Sequence, residues 1–280
     1  MSKKKIIILS SIFIIYLSVL IATIKSDNIN KREIPPIEKG AITINNTNYE
    51  TLQAALDNVK ENEIININKN IKEKIYAYNK ICTINGNNNE ISSIDYESES
   101  YITNSILEFE NCNIKLENTI INGNSNNTSK KANIGLIIKN SNIVLDNIQI
   151  LNVTNKLKNI NDYPNFYSLY IINDEEENYS ISINNLVVSN FHKKAIYINN
   201  KTHNSCHINM TDCKFNGIGL DNEFDQIAID ISGLIKGNIN TNTFNNVNNC
   251  IYIPINNELI IQDNNYNNVK EKTKLKAINK

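Results

Sequence analysis

One short motif recurs along the chain, and this repeat constrains the fold more than any other feature. The stretch IVLDNIQILNV, residues 143–153, carries apolar residues at alternating positions around Asn147. With Leu145 as the reference residue, the same alternation recurs in one register, at spacings of 29, 38, 27, 29 and 22 residues. The six reference residues are Leu116, Leu145, Ile183, Met210, Ile239 and Ile261. A repeat of this length predicts a solenoid in which each unit buries its apolar face against the next.

Each unit places a polar residue two positions after its reference residue. These residues are Asn118, Asn147, Asn185, Asp212, Thr241 and Asp263. Asn tolerates the left-handed backbone conformation of a tight turn, so we expect one turn at this position in every unit. Stacked Asn amides can also hydrogen-bond from one unit to the next, which predicts an asparagine ladder.

Apolar residues alternate with a period of two on both sides of this turn, which is typical of short strands. Five positions after the reference residue they are Ile121, Ile150, Val188, Phe215, Phe244 and Tyr266. A further strand precedes the motif in each unit, with the segments GLIIKN, SLYII, AIYIN, IAIDI and CIYIP. We therefore predict an all-β fold in which coils of three short strands stack in parallel register, about 4.8 Å apart.

The segment before the repeats has a different period. In NYETLQAALDNVKENEIININ, residues 48–68, the residues Leu52, Ala55, Leu56 and Val59 lie on one helical face before strand alternation begins. The open end of a solenoid needs a cover, and an amphipathic helix provides one. The segment predicts an N-terminal capping helix.

The N-terminus predicts export. Three lysines precede an uncharged run from Ile6 to Ile24, which is long enough to span a bilayer. We interpret residues 1–25 as an uncleaved signal anchor, a transmembrane helix, with a cleaved signal peptide as the alternative. The rest of the chain is then extracytoplasmic, at the cell surface if anchored and secreted if cleaved. We expect a linker at 26–40, the solenoid at 41–269 and a mobile basic tail at 270–280.

At this point the chain resembles a known family. The segment YETLQAALDNV, the turn in ICTINGNNNEI and the Asn-laddered coils resemble the right-handed parallel β-helix of pectate lyases and pectin lyases. The resemblance covers roughly residues 41–269. It implies the fold and says little about function, because this architecture hosts lyases, hydrolases, tailspikes and surface adhesins. The Asn- and Ile-rich, membrane-anchored members, which are adhesin-like surface proteins, are the most similar.

The residues that family enzymes use are scarce in this sequence. The resemblance implies that a lyase would bind acidic sugars with Arg, but the one Arg is Arg32, in the linker. The Asn-Thr-Asp, Asp-Asp and Gly-His-Gly strings of the hydrolases are missing too. The best acidic group is in GLDNEFDQIAID, with Asp221, Glu223, Asp225 and Asp230. Two of these carboxylates could act as acid and base, but a solvated acidic loop is the interpretation we favour.

Aromatic residues are the other candidates for a binding site. The sequence has no Trp, and the longest loop, KLKNINDYPNFY, carries Tyr163, Phe166 and Tyr167. These rings could stack on a ligand. The alternative is that the loop packs them onto the side of the solenoid.

Neither a metal site nor a cofactor is expected. His203, Cys206 and His207 share one turn without an evident fourth ligand, and the acidic turn at 173–178 is more typical of a solvated loop than of a calcium site. The five cysteines form no CxxC pair, which favours buried thiols, although a Cys206–Cys213 bridge would be feasible in an oxidising compartment.

Two functional hypotheses therefore stand. The first is a non-catalytic, membrane-anchored interaction module whose partner is a cell-surface glycan or envelope protein. The alternative is a polysaccharide-modifying enzyme, a glycoside hydrolase or lyase. A formal net charge of −1 offers no basic field to nucleic acid. The scarcity of Arg, Trp and familiar acid strings favours the first hypothesis.

Overall fold

The computed structural model of the protein describes residues 40–94, 104–123, 132–153, 166–204, 206–220 and 225–276. The fold of these residues is all-β with one helix, α1 (Leu52–Asn58). The strands form one sheet of 15 strands and one of eight, which enclose an apolar core made mostly of Ile, Leu, Val and Phe, together with Ala and Cys. The predicted fold class is confirmed at this level.

The first sheet contains the strands that carry the repeat motif. Its members are β1 (Ile42–Ile44), β2 (Thr47–Tyr49), β3 (Glu63–Ile67), β4 (Ile71–Lys72), β6 (Ile81–Asn85), β7 (Glu90–Ser92), β9 (Asn113–Asn122), β11 (Asn142–Leu151), β13 (Ser180–Ser189), β15 (Cys206–Thr211), β16 (Lys214–Asn216), β18 (Ile235–Asn240), β19 (Thr243–Asn245), β21 (Glu258–Gln262) and β22 (Asn265–Asn267).

The second sheet contains the strand that opens each unit. Its members are β5 (Ile75–Tyr78), β8 (Ser105–Glu110), β10 (Ile134–Lys139), β12 (Tyr167–Asn173), β14 (Lys194–Asn200), β17 (Ile227–Ser232), β20 (Asn249–Pro254) and β23 (Glu271–Lys276). From β3 onward the chain alternates between the sheets, and each strand pairs in parallel with its counterpart in the next unit. This order is consistent with a solenoid. We call one second-sheet strand and the first-sheet strands that follow it a coil.

The register predicted from the repeat is confirmed. The reference residues lie opposite one another on neighbouring parallel strands throughout the series from Leu116 to Ile261. The first five of the six are fully buried, and Ile261, in the last coil, is half-buried. Like residues therefore stack above like along the core, as period-two alternation requires.

The turn that follows the reference residue is also confirmed. All six residues at this position, from Asn118 to Asp263, have a left-handed backbone with φ between 50° and 56°. In β9, β11 and β13 one strand continues through this residue, whereas the later coils have two separate strands. The continuous strand in β9, β11 and β13 differs from our prediction of three separate strands in each coil. The reason is that a single left-handed residue bends the chain without ending the hydrogen bonding to neighbouring coils.

Asparagine ladders run along the turns. Asn147 Nδ2 donates to Asn118 Oδ1 at 2.8 Å, and Asn185 Nδ2 donates to Asn147 Oδ1 at 3.1 Å. A second ladder joins Asn190 to Asn152 at 3.0 Å. Asn118, Asn147 and Asn152 each both donate and accept along the stack, so that the same side chain that permits the turn also links it to the next coil.

The N-terminal end of the core is covered as predicted. Helix α1 begins after Thr51, whose hydroxyl accepts a hydrogen bond from the Ala54 amide at 3.0 Å. Leu52, Ala55 and Leu56 are fully buried against the first coils. Strand β1 pairs antiparallel with both β2 and β3. The repeat did not predict this antiparallel pairing, because these residues precede the first repeat.

The C-terminal boundary differs from the prediction. We expected a mobile tail from residue 270, but Glu271–Lys276 form β23, which pairs in parallel with β20. The lysines obscured the strand, because in the sequence they resemble a charged run and their alternation with Thr273 and Leu275 is short. The correction extends the parallel sheet to residue 276; residues 277–280 lie outside the described part of the chain.

The five cysteines are free and buried, which confirms their interpretation as small apolar residues. Cys206 and Cys213 are not bridged. Burial raises the pKa of the Cys213 thiol to about 12, so this thiol stays protonated and unreactive at neutral pH.

The predicted membrane segment, residues 6–24, lies outside the described residues. Among the residues that the structure describes, no helix has the length and apolar character needed to cross a bilayer.

The core register generates a stability prediction at two adjacent residues. Ile150 is fully buried, whereas Gln149 points to solvent from the same strand. Ile150→Asn should lower the free energy of unfolding by about 3–5 kcal/mol, because it removes apolar burial and buries an amide without partners. The matched control Gln149→Asn should cost about 1 kcal/mol or less. Urea unfolding of both variants measures the difference, and equal midpoints would contradict the register.

Candidate ligand-binding face

The outer face of the second sheet, which points away from the core, carries a row of aromatic and charged side chains. One outward position crosses the whole sheet from strand to strand, and we call it the outer column. Its members are Tyr76, Glu108, Ile137, Tyr170, Tyr197, Asp230, Tyr252 and Lys274. Neighbouring members are about 4.8 Å apart, because they lie on adjacent strands.

Three tyrosines form a cluster at the centre of this face. The ring centroids of Tyr167, Tyr170 and Tyr197 are 5.0 to 5.2 Å apart, and the rings of Tyr170 and Tyr197 stack within 10° of parallel. They pack with Ile134 and Ile137 into a small apolar cluster separate from the core. Parallel register places Tyr170 next to Tyr197, so the stacking follows from the coil repeat itself.

A charged pair borders the tyrosine cluster. Lys194 Nζ lies 4.0 Å from the centroid of the Tyr197 ring and 2.7 Å from Asp230 Oδ2. Asp230 is only 3 % exposed, so its carboxylate is nearly removed from water beside the lysine. Burial raises the pKa of the Tyr167 and Tyr197 phenols, with neighbouring tyrosines adding to the effect. Both phenols therefore remain neutral hydrogen-bonding groups at physiological pH.

A hydrogen-bonded chain continues along the same face. Lys274 Nζ donates to the Tyr252 hydroxyl at 3.1 Å, and this hydroxyl donates to Asn249 Oδ1 at 2.8 Å. The Asn249 amide in turn donates to Asp225 Oδ1 at 2.6 Å. Asp225 and Asp230 are thus both brought to this face. Along the backbone, the two residues are not neighbours. Ile227, the first residue of β17, lies about 10 Å along the strand from Asp230, and Asp225 precedes Ile227 by two residues.

Two of the three predicted stacking residues lie within the described part of the chain. Phe166 and Tyr167 are buried, with 4 % and 6 % of their surface exposed, so neither presents a free ring face. Phe166 contacts the His192 ring edge-on, and burial lowers the pKa of His192 to about 4. The alternative in which the loop aromatics pack onto the side of the solenoid is the one that fits these two residues. Tyr163, Asp221 and Glu223 lie outside the described residues.

Sequence reasoning missed an exposed aromatic pair at the start of this face. Tyr76 and Tyr78 are 42 % and 47 % exposed, and their rings stack at 6.5 Å with an angle of 16°. We call them the exposed tyrosine pair. The signal was available in KIYAYNK, residues 74–80, because residues two apart in a strand point to the same face.

The first ring of this pair is held in place. The Tyr76 hydroxyl donates to Glu110 Oε2 at 2.6 Å, and Lys139 Nζ donates to Glu110 Oε1 at 2.8 Å. The lysine and the phenol both lower the pKa of Glu110, while the hydrogen bond to Glu110 raises the pKa of Tyr76 to about 12. The phenol thus stays protonated beside an ionised carboxylate, and Glu110, itself held by Lys139, fixes the ring.

The sequence candidates for a metal site are not assembled into one. Within the described residues no three His, Cys, Asp or Glu side chains are arranged to hold a metal ion. His203 and His207 are exposed, whereas Cys206 is buried. In the acidic turn Asp174 accepts a hydrogen bond from Asn140 at 2.7 Å.

The charged pair on this face should be energetically coupled. Lys194→Met and Asp230→Asn should each destabilise the protein, because each leaves a partly buried polar group without its partner. The double variant should lose about 1–3 kcal/mol less than the sum of the two. A double-mutant cycle of urea unfolding measures this coupling. Strict additivity would show that the 2.7 Å contact contributes nothing to stability.

Comparison with known proteins adds no family assignment to this geometry. No model of a known protein family matches the chain, and no curated protein matches it significantly.

Proposed function

We propose that this protein is a non-catalytic, membrane-anchored, extracytoplasmic β-helix protein, an adhesin-like or envelope interaction module that binds a glycan. The observation that carries the proposal is the exposed tyrosine pair, Tyr76 and Tyr78, held beside Glu110 and Lys139 on a rigid sheet. Exposed aromatic rings flanked by fixed polar groups suit a sugar, which offers a C–H face for stacking and hydroxyls for hydrogen bonds.

The finer fold assignment is part of the proposal. We infer a right-handed parallel β-helix of the pectin-lyase-like type. Parallel strands follow one another through crossover connections in every coil, and such connections are right-handed in almost all known cases. The asparagine ladders and the capping helix agree with the resemblance of the sequence to this family.

A rigid aromatic pair is well suited to binding without catalysis. Tyr76 is fixed through its hydroxyl to Glu110 and through its amide to Gln53 Oε1 at 2.9 Å. A ligand that stacks on this ring therefore orders little of the protein, which lowers the entropic cost of binding. The carboxylate of Glu110 and the ammonium of Lys139 then provide an acceptor and a donor for sugar hydroxyls.

The cellular location follows from the N-terminal sequence. The uncharged run from Ile6 to Ile24 supports an anchor in the membrane with the coils outside the cytoplasm, or secretion if the run is removed. Both locations expose the second sheet to glycans of the cell surface.

The enzyme alternative has less support from the described side chains. Asp230 is paired with Lys194, and Asp225 accepts a hydrogen bond from Asn249. Paired carboxylates of a glycosidase lie about 5 to 10 Å apart and flank the scissile bond. Both carboxylates are instead engaged with other side chains of the protein.

Glycan binding should depend on the exposed tyrosine pair. Tyr76→Ala/Tyr78→Ala should weaken binding to the best ligand of a cell-surface glycan array at least about tenfold, because both stacking surfaces are lost. Calorimetric titration of the full-length chain measures this change. Tyr76→Phe should weaken binding less, since it keeps the ring and removes only the hydrogen bond to Glu110.

The matched control is Ile64→Ala, on the outer face of the first sheet. Ile64 is 48 % exposed, close to the fractional exposure of each tyrosine, so its truncation removes exposed apolar surface in another place. Its binding should equal that of the natural protein. If the control and the tyrosine variant lost affinity equally, or if no glycan bound, the proposed function would be wrong.

The purified chain should not cleave acidic glycans. Incubation with polygalacturonate, with and without calcium, should release neither reducing nor unsaturated ends, because Asp230 is paired with Lys194 and Asp225 accepts a hydrogen bond from Asn249. Release that disappears in Asp225→Asn or Asp230→Asn would replace the binding hypothesis with the enzyme alternative.

A further inference from the structure

Carboxylates lie directly opposite both rings of the exposed tyrosine pair. Parallel register places Glu108 across from Tyr76 and Glu110 across from Tyr78, on the adjacent strand β8. Paired positions on neighbouring strands are about 4.8 Å apart. A ligand that stacks on the two rings therefore also lies beside two carboxylates.

The first of these carboxylates is weakly compensated by its surroundings. Glu108 is half-buried, and its hydrogen bond from Ser105 Oγ is long, at 3.5 Å. Burial raises the pKa of Glu108, while the charge of the exposed Lys74 opposes this rise and the charge of Glu110 adds to it. A carboxylate in such an environment is stabilised in its ionised form by a cation beside it.

A polar cavity of about 290 Å³ continues the path of these side chains around the next turn. Asn111 and Asn140 line the cavity, and they directly follow the last residues of β8 and β10 with left-handed backbones. Glu175 and Glu177 line it as well, and none of the described residues around it is Lys, Arg or His. The cavity therefore suits hydrogen-bond donors and positive charge.

The acidic turn that carries these two glutamates is fixed at both ends. At its start, Asn140 Nδ2 donates to Asp174 Oδ1 at 2.7 Å, and the Asp174 amide donates back to Asn140 Oδ1 at 2.9 Å. At its end, the Ser180 amide donates to Asn142 Oδ1 at 2.8 Å. Glu177 is exposed between these two anchors. A ligand that binds here orders little of the backbone, which lowers the entropic cost of binding.

The charges along this path are mostly negative. The carboxylates are those of Asp57, Glu108, Glu110, Asp174, Glu175 and Glu177, and the ammonium groups are those of Lys74, Lys80 and Lys139. The hydrogen bond to Glu110 raises the pKa of Lys139, and the charges of Asp174 and Glu175 raise it further. The acidic turn thus acts electrostatically on the same lysine that borders the tyrosine pair.

We propose that the glycan bound at the exposed tyrosine pair is a chain of amino sugars whose amines are free and protonated. Its sugar rings stack on Tyr76 and Tyr78, and its ammonium groups lie beside Glu108 and at the carboxylates of the cavity. Aromatic ring faces also attract cations, whereas the same carboxylates repel uronates and other acidic sugars. This inference rests on the proposed glycan-binding function and names the class of glycan.

A matched pair of sugar oligomers separates charge from stacking. In calorimetric titration of the full-length chain at neutral pH, the tetramer of glucosamine should bind at least about tenfold more tightly than the tetramer of N-acetylglucosamine. Acetylation removes the positive charge and keeps the sugar rings, so this ratio measures the contribution of charge. The advantage should shrink as the salt concentration rises, because much of the path is open to solvent.

Removing two carboxylates should remove the preference without removing stacking. In Glu108→Gln/Glu177→Gln the glucosamine tetramer should lose most of its advantage, while the affinity for the acetylated tetramer changes by no more than about twofold. The control Glu117→Gln/Glu258→Gln removes the same charge from two ion-paired carboxylates of the first sheet and should keep the full advantage. Thermal unfolding checks that both variants are folded.

The remaining outcomes distinguish this inference from the proposed function. Equal affinity for the two tetramers, or an advantage that survives in Glu108→Gln/Glu177→Gln, would overturn the inference. Tetralysine that binds as tightly as the glucosamine tetramer would overturn it too, because charge alone would then be recognised. Binding of neither tetramer also overturns it. In each of these cases the proposed function stands if a glycan still binds through the exposed tyrosine pair, and fails if none does.

Discussion

The left-handed backbone of one residue in each coil is the constraint on which the rest of this structure depends. At this position the chain bends from one face to the next within a single residue. The turn therefore keeps the same position relative to the strands in every coil, while the loops vary in length. Five of the six residues at this position in the motif coils are Asn or Asp, which reach φ near +55° at modest cost. Thr241 takes the same φ although it is β-branched, and its hydroxyl accepts a hydrogen bond from the Asp212 amide at 3.3 Å. The neighbouring coil thus supports the one unfavourable residue.

Stacking follows directly from that bend. Because every coil turns at the same place, Ile150 lies between Ile121 and Val188, and Phe244 lies between Phe215 and Tyr266. The inward positions then need only apolar side chains of suitable volume, which explains why Ile, Leu, Met, Val and Phe exchange freely there. Gly237 departs from this pattern between Ile208 and Leu259 for a backbone reason: its φ is +123°, and a Cβ atom would lie 2.0 Å from the Ile208 carbonyl oxygen.

The sequence was sufficient to predict what the repeat determines. The reference register, the turn residues, the inward columns and the covering helix all follow from period-two alternation and from the backbone tolerance of Asn. It was insufficient where residues fall outside the repeat. The antiparallel pairing of β1 has no counterpart in later coils, and β23 is a single strand whose lysines dominate its composition. The burial of outward side chains could not be predicted either. Tyr167 and Asp230 lie on the outer face, yet both are nearly buried by contacts that periodicity does not describe.

The outer column shows why function is harder to predict than fold in this architecture. One position of the coil holds Tyr76, Tyr197, Asp230 and Lys274 in different coils, all with the same backbone environment. The core places no demand on these side chains, because it is built from the opposite face of the same strands. Their chemistry can therefore change from coil to coil at little cost to stability, while the strand spacing of about 4.8 Å keeps neighbours close enough to stack or to form an ion pair. A binding site in such a fold is a run of adjacent outward residues, and it becomes visible only when the coils are aligned in space.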